Sequence, residues 1–134
     1  MRCICLRLKK CEDLYKALET EAKKHHIKAG VILSLVGCLK EARIRLAGGR
    51  DYFYRKEMYE IVSATGTISE MRQHIHISIA DRDGNVLGGH MKEGCIVNTT
   101  CEVVIGLIEN VVMEKEFDIE TGYDEIKFSS EAEL

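Results

Sequence analysis

Three of the five histidines lie within one short stretch, QHIHISIADRDGNVLGGH, at residues 73–90. His74, His76 and Ser78 alternate with isoleucines, and successive side chains of a β-strand point to opposite faces. The isoleucines therefore predict a buried face, and the histidines predict an accessible one. After a glycine-containing turn, the run NVLGGHM predicts a returning strand that carries His90.

The length of that turn decides whether the three imidazoles meet. If five residues form the loop, Ala80 faces Val86, and counting back places His76 opposite His90. Side chains that oppose each other directly have Cβ atoms roughly 4.5–5.5 Å apart. A four-residue loop would instead set Ile75 opposite His90 and turn His90 to the other face, and a bulge at a glycine would also change the match. We predict the five-residue loop and a convergent cluster.

Three neutral imidazoles can hold one divalent ion and leave a position for water or substrate, as in catalytic zinc sites. The cluster predicts a divalent metal cofactor, with zinc as the expected ion. The alternative is two half-exposed strand histidines and an unrelated third. Glu93, Glu102 and Asp83 are candidate bases or partners for an imidazole N–H, but each is also an ordinary strand or turn residue. No catalytic residue is assigned, and whether the protein is an enzyme stays open.

Length and composition favour one globular domain over residues 1–134, with 46% hydrophobic and 31% charged residues. The net charge is −3 and the segment from Glu109 onward is acidic, which argues against direct DNA binding. The local concentration of basic residues predicts the outward face of two neighbouring strands. It consists of Arg43, Arg45, Arg50, Arg55 and Lys56.

The N-terminal segment MRCICLRLKK lacks the apolar core of a signal peptide, and the longest apolar run, residues 29–39, is too short to span a bilayer. These features predict a cytoplasmic protein with no membrane contact, whose six cysteines are reduced. The sequence contains no C-x-x-C motif. Most cysteines are therefore expected to be small buried side chains, with Cys95 or Cys101 as an extra metal ligand the minor alternative.

The remaining pattern predicts an α+β fold, in which a mainly antiparallel sheet, as a sandwich or half-barrel, packs with one principal helix. Residues 11–26 form the amphipathic helix, and His25 and His26 lie at its solvated end. Residues 30–37 predict a strand buried on both faces. The following alternation predicts inward positions at Leu39, Ala42, Ile44 and Leu46.

Further strands are predicted at residues 3–8, twice within 52–69, once or twice within 95–118, and near the C-terminus as an edge strand. Residues 102–105 also fit the start of a short helix. Pairing of edge strands across a symmetric homo-oligomer is a common way to protect them.

Four segments together resemble the plant-and-prokaryote-conserved (PPC) domain family, which occurs as a stand-alone protein in prokaryotes. They are SLVGCLKEARIRL, YEIVSATGTI, HIHISIADRDGNVLGGHMKEG and TTCEVVI, at residues 34–46, 59–68, 74–94 and 99–105. The resemblance implies an α+β fold with a central antiparallel sheet that assembles as a homotrimer. It also implies that His74, His76 and His90 match the histidines that hold a divalent metal in some prokaryotic members.

In plant members, a G-R-F-E-I-L segment contacts transcription factors, and it corresponds to residues 57–62 here. Glu60 and Ile61 are kept, whereas Glu57 and Met58 replace the Gly and Arg. The matching candidates for contact with a regulatory protein are Tyr59, Glu60, Ile61 and Val62. The chain contains no proline and therefore no R-G-R-P AT-hook.

The leading hypothesis is a homotrimeric metal-binding protein of unassigned activity. The alternatives are a DNA-associated or transcription-linked module and a trimer that only binds proteins.

Overall fold

The computed structural model describes residues 1–130 and 132. Within those residues the chain forms one α-helix and nine β-strands. In chain order they are β1 (Cys3–Lys9), α1 (Leu14–Lys24), β2 (Gly30–Arg45), β3 (Tyr52–Arg55), β4 (Tyr59–Ile68), β5 (Gln73–Ala80), β6 (Val86–Met91), β7 (Ile96–Leu107), β8 (Val111–Asp118) and β9 (Tyr123–Ser130).

Seven strands form an antiparallel sheet in the order β1-β7-β2-β4-β5-β6, with β3 paired to β2 outside that path. The 16-residue strand β2 organises the sheet because it pairs with β3, β4, β6 and β7 along different parts of its length. Its last residues, Ile44 and Arg45, pair with Met91 and His90 of β6. This pairing closes β2, β4, β5 and β6 into a ring. The predicted α+β fold, with a mainly antiparallel sheet and one helix, is confirmed.

The helix α1 covers the sheet with one apolar stripe. Leu14, Leu18 and Ala22 recur every four residues and are fully buried, as an amphipathic helix requires. Burying a leucine side chain contributes about 1.5–3 kcal/mol to stability. The helix begins later than predicted because Asp13 caps it, accepting a hydrogen bond from the Lys16 amide at 3.1 Å.

The strand β2 differs from its prediction. It is continuous from Gly30 to Arg45, and its first half is not buried on both faces, since Leu33 is 48% and Val36 57% exposed. The predicted inward positions Leu39, Ala42 and Ile44 are fully buried, whereas Leu46 lies beyond the strand and is exposed. The apolar run is therefore accessible on one face because the core lies on only one side of the sheet there.

The segment around Glu102 is part of β7, so the alternative of a short helix is wrong. Val103 and Ile105 are buried while Glu102 is exposed, which is the alternation of a strand with one face on the core. Near the C-terminus, β9 pairs with β8 in a separate two-stranded sheet. Among the described residues, no helix has the length and apolar character needed to cross a membrane.

Candidate metal centre

The strand β5 presents two histidines on its accessible face because its other face is built into the core. Ile75 and Ile77 are 1% and 2% exposed, and Ile79 is fully buried. His74 and His76 therefore lie on the opposite face, as the alternation predicted.

The loop after β5 is held in shape by Asp81. Its carboxylate accepts hydrogen bonds from the backbone amides of Asp83 and Asn85, both at 2.9 Å, and from the Asn85 side-chain amide at 3.1 Å. These hydrogen bonds, led by that of the Asn85 side chain, hold the pKa of the Asp81 carboxyl below its usual range. Gly84 completes the reversal with a φ of 82°.

This loop contains five residues, and the predicted register is confirmed. Ala80 pairs with Val86 and His76 pairs with His90, and the pairing is continuous between these two positions. Close approach of neighbouring backbones explains the Gly88-Gly89 pair. A Cβ atom on Gly89 would lie 2.5 Å from the Arg45 carbonyl oxygen.

The three imidazoles converge at one point on the accessible face. The ring centroids of His74 and His90 are 4.8 Å apart, those of His74 and His76 5.1 Å, and those of His76 and His90 5.6 Å. One ligand atom from each ring lies within 4.8 Å of the others. The Nε2 atoms of His74 and His76 are 3.3 Å apart. Two nitrogen ligands of a tetrahedral zinc ion are separated by about 3.3 Å, given Zn–N distances of about 2.0–2.1 Å.

Two of the rings are held in the neutral form. Burial, with the Lys92 and Arg45 cations, lowers the pKa of His90 to about 3. Burial, together with His76 and Arg72, also lowers the pKa of His74. A neutral imidazole keeps the lone pair that a metal ion needs. The donor set therefore fits a divalent ion.

The same shifts predict that the metal-free protein loses stability in acid. Its folded state resists protonation at His90, whereas the unfolded chain takes up a proton near pH 6.5. The unfolded state then binds more protons, so the free energy of unfolding falls as the pH decreases from about 6.5 toward 3. Urea titrations at pH 7 and pH 5 measure this slope. The His90→Gln variant is expected to show a smaller dependence of stability on pH, and the His25→Gln variant the same dependence as the wild type. Equal slopes in all three proteins would contradict the lowered pKa of His90.

A cavity of about 380 Å³ opens beside His74 and His90. Its walls come from α1, from the turn before β5, from the ends of β2 and β6, and from the β8–β9 hairpin. Gln73 joins two of these walls, since its Nε2 donates to the Tyr15 carbonyl oxygen at 2.9 Å. The charged groups that line the cavity are Arg45, Arg72, Lys92, Lys115, Glu19, Glu70, Asp124 and Glu125.

The three acidic candidates from the sequence lie elsewhere. Glu93 forms an ion pair with Lys16 at 2.7 Å, Glu102 is exposed on β7, and Asp83 lines a different cavity. Two residues of the predicted basic face, Arg43 and Arg45, lie on the outward side of β2, alternating with the buried Ala42 and Ile44. Arg43 stacks on Tyr52, and Arg45 turns toward Tyr123 and the histidine-lined cavity.

The cysteines add no ligand to the cluster. Of the six, only Cys95 and Cys101 are buried, so the expectation that most are core residues is wrong. Cys3 and Cys5 are exposed because they occupy the outward positions of β1, the strand that ends the sheet path. Burial raises the pKa of the Cys95 thiol to about 11 and that of Cys101 to about 12. Both stay protonated at neutral pH and are poor metal ligands.

Arg72 and Lys92 were not identified from the sequence, although the alternation of strand side chains could have placed them beside the histidines. Arg72 precedes His74 by two positions and Lys92 follows His90 by two, so each shares the histidine-bearing face. Tyr123 and Glu125 gave no such signal, because only the folding of the β8–β9 hairpin brings them to the cavity.

The sequence profile of the Plants and Prokaryotes Conserved (PCC) domain matches residues 1–109. The chain belongs to the PCC domain family. A curated relative, the bifunctional protein GlmU of Synechococcus sp. (strain JA-3-3Ab), is 34% identical over 133 residues, which are 99% of this chain and 21% of that protein. The chain thus spans about a fifth of the length of the curated relatives it matches.

Solved structures of similar chains share the fold. A hypothetical protein from Salmonella cholerae-suis has a TM-score of 0.93 and 31% identity, covering 97% of this chain and 94% of that one. The metal-containing protein AF0104 from Archaeoglobus fulgidus has a TM-score of 0.77 and 27% identity, covering 95% and 94%. A proposed DNA-binding protein from Bacteroides thetaiotaomicron has a TM-score of 0.83 and 24% identity, covering 94% and 91%.

Proposed function

We propose that this family member binds one divalent ion, zinc, through His74, His76 and His90. The observation that carries the proposal is the convergence of three imidazoles, whose ligand atoms lie within 4.8 Å of one another, with the Nε2 atoms of His74 and His76 at 3.3 Å. Two of these rings, His74 and His90, have lowered pKa values and are neutral at physiological pH. A set of three nitrogen donors suits zinc better than calcium or magnesium, which prefer oxygen ligands. A similar structure belongs to a protein described as metal-containing, which agrees with this reading.

The position of the cluster at the edge of a cavity favours a ligand-binding or reactive centre over a purely structural one. Structural zinc sites have four protein ligands, whereas three leave a position open. When bound, zinc polarises a ligand that enters that position or acidifies a bound water molecule to a pKa of about 7. The cavity beside His74 and His90 gives a small molecule access to the rings.

Elemental analysis of protein purified without chelator tests the metal proposal. We expect about one zinc ion per chain in the wild type and none in a His74→Ala/His76→Ala variant. A His25→Ala/His26→Ala variant is the matched control, because these histidines lie at the end of α1 and pair with Glu21 and Glu70. Wild-type protein without stoichiometric metal would contradict the proposal.

We further propose that the protein assembles as a homotrimer. Val36 and Val62 lie on the neighbouring strands β2 and β4 and are 57% and 56% exposed, and Leu33 is also accessible. Apolar side chains grouped on an outer sheet face are typical of protein contacts. Sedimentation of the same preparation measures the assembly, and a monomer at micromolar concentration would contradict it.

The alternative functions have less support. The net charge is negative, and Arg43 and Arg45 each contact a tyrosine ring, so direct DNA binding has little electrostatic support. In the candidate protein-contact segment, Tyr59 and Ile61 are buried in the core. A regulatory partner would therefore reach only Glu60 and Val62, which are exposed.

A further inference from the structure

The cations next to the histidines border the cavity without a carboxylate partner. Arg45, Arg72 and Lys92 form no ion pair with an acidic side chain in the part of the chain that the structure describes. Lysines elsewhere do form such pairs, as Lys16 does with Glu93 at 2.7 Å. Arg45, Arg72 and Lys92 therefore lack the close carboxylate contact that Lys16 has.

Both arginines instead contact an imidazole. An Nη2 atom of Arg45 lies 3.4 Å from Nδ1 of His90, and one of Arg72 lies 3.5 Å from Nδ1 of His74. These are long contacts to a neutral acceptor. An imidazole that binds a metal through Nε2 carries a hydrogen on Nδ1 and cannot accept these hydrogen bonds. Metal binding of that kind would leave both guanidinium groups without their acceptors.

The acidic groups around the cavity lie mainly on other elements. Glu19 is paired with Lys23 at 3.6 Å and Glu70 with His26 at 3.5 Å. Asp124 and Glu125 belong to β9, which shares its hairpin with Lys115 of β8. Arg45, Arg72 and Lys92 thus come from the ends of β2 and β6 and from the turn before β5, next to the histidines. Glu125 approaches the same cluster from β9 and acts on His74, where its charge opposes the larger effects that lower the pKa.

Imidazole ligands carry no negative charge and do not offset the charge of a divalent ion. Two positive charges from the ion would add to those of Arg45, Arg72 and Lys92, and like charges at short range in a sheltered site repel one another. An anion in the cavity removes this repulsion. Guanidinium groups match the two oxygens of a carboxylate or phosphate in a bidentate arrangement.

We infer that the cavity binds a small organic anion, a carboxylate or a phosphate monoester, whose acidic group is held by Arg45, Arg72 and Lys92. One part of this inference rests on the proposed metal centre, namely that the anion binds more tightly when the metal ion is present. A volume of about 380 Å³ is near the lower end of ligand cavities, which span roughly 300–1,000 Å³. This volume restricts the ligand to a compact molecule. Tyr123, whose ring lies 5.7 Å from the Arg45 guanidinium carbon, borders the same space.

Calorimetric titration of the metal-free and the zinc-loaded protein with succinate and with inorganic phosphate tests the inference. We expect one of these probes to bind the zinc-loaded form at least about tenfold more tightly than the metal-free form. Binding of succinate assigns a carboxylate ligand, and binding of phosphate assigns a phosphate ester. Arg45→Gln and Arg72→Gln are each expected to weaken anion binding about tenfold while zinc stays at one ion per chain.

The exposed Arg82 in the loop after β5 provides the matched control, and Arg82→Gln is expected to bind the anion like the wild type. The inference is overturned if the protein holds stoichiometric zinc but binds neither probe at 10 mM, about 4 orders of magnitude above a micromolar Kd. That result leaves the metal proposal standing. Anion binding that both cavity variants leave unchanged also overturns the inference. Arginine-dependent anion binding by a protein that takes up no zinc supports the anion site and contradicts the metal proposal.

Discussion

Saturation with zinc is expected to raise the free energy of unfolding of the protein by about 4 kcal/mol when free zinc is a thousandfold above its Kd. The gain follows from mass action, because the three ligands converge only in the folded chain. Their convergence depends on the β5–β6 pairing, and the long-range closure of β6 onto β2 holds His90 from the other side. His76→Ala is expected to lower zinc affinity more than about a hundredfold, since loss of even an outer-shell partner costs 10–100-fold. Most of the stabilisation then disappears at the same zinc concentration.

Chemical denaturation with and without zinc measures that gain. His76 suits the test because its side chain is exposed, so truncation leaves no cavity in the core. His25→Ala is the control, since His25 pairs with Glu21 at the end of α1 and its loss leaves the zinc-dependent increment intact. An equal increment in wild type and His76→Ala would exclude this histidine from the site.

The local half of the site was predictable from sequence. The two-residue period assigned Ile75 to the core and His76 to the surface, and both assignments follow from strand geometry alone. The position of His90 depended on the loop length. Asp81 fixes that length by accepting the Asp83 and Asn85 amides, and this capping by an aspartate is a local interaction with a recognisable sequence.

The other half of the site depends on long-range pairing. Arg45 reaches the cluster because the end of β2 pairs with His90, and no local pattern encodes which strand closes the ring. The dependence on long-range contacts also explains why the burial of β2 was predicted incorrectly. Its apolar run predicts burial, but whether Leu33 and Val36 are covered depends on what lies against the outer face of the sheet.

The β8–β9 hairpin shows how a segment outside the matched family profile shapes the cavity. The profile ends at residue 109, and the hairpin begins at Val111. It is anchored where the buried Met113 donates its amide to the Lys28 carbonyl at 2.9 Å and accepts the Ser69 hydroxyl at 3.0 Å. Lys115, Asp124 and Glu125 thereby line the cavity. Residues beyond the matched region thus form one wall of the cavity beside the histidines.

Gly66→Ala is expected to destabilise the metal-free protein by about 3 kcal/mol or more, because the added methyl group meets backbone atoms that cannot rotate away. Gly66 lies opposite Ile75 in the β4–β5 pair. A Cβ atom there would collide with the His74 carbonyl oxygen and lie 2.7 Å from Cα of Ile75. The two strands must separate to admit it, which disturbs the backbone that carries His74. Zinc affinity should therefore fall together with stability.

Gly48→Ala separates this effect from the general cost of replacing a glycine. Gly48 has a φ of 86° and no atom within 4 Å of an added Cβ, so only the backbone strain of about 1 kcal/mol is expected, with zinc affinity unchanged. Guanidinium titrations compare the two variants. If Gly66→Ala costs no more than Gly48→Ala, β4 and β5 do not approach as closely as described. If stability falls but zinc affinity does not, His74 keeps its place without the regular β4–β5 pair, and the β5–β6 hairpin alone positions the ligands.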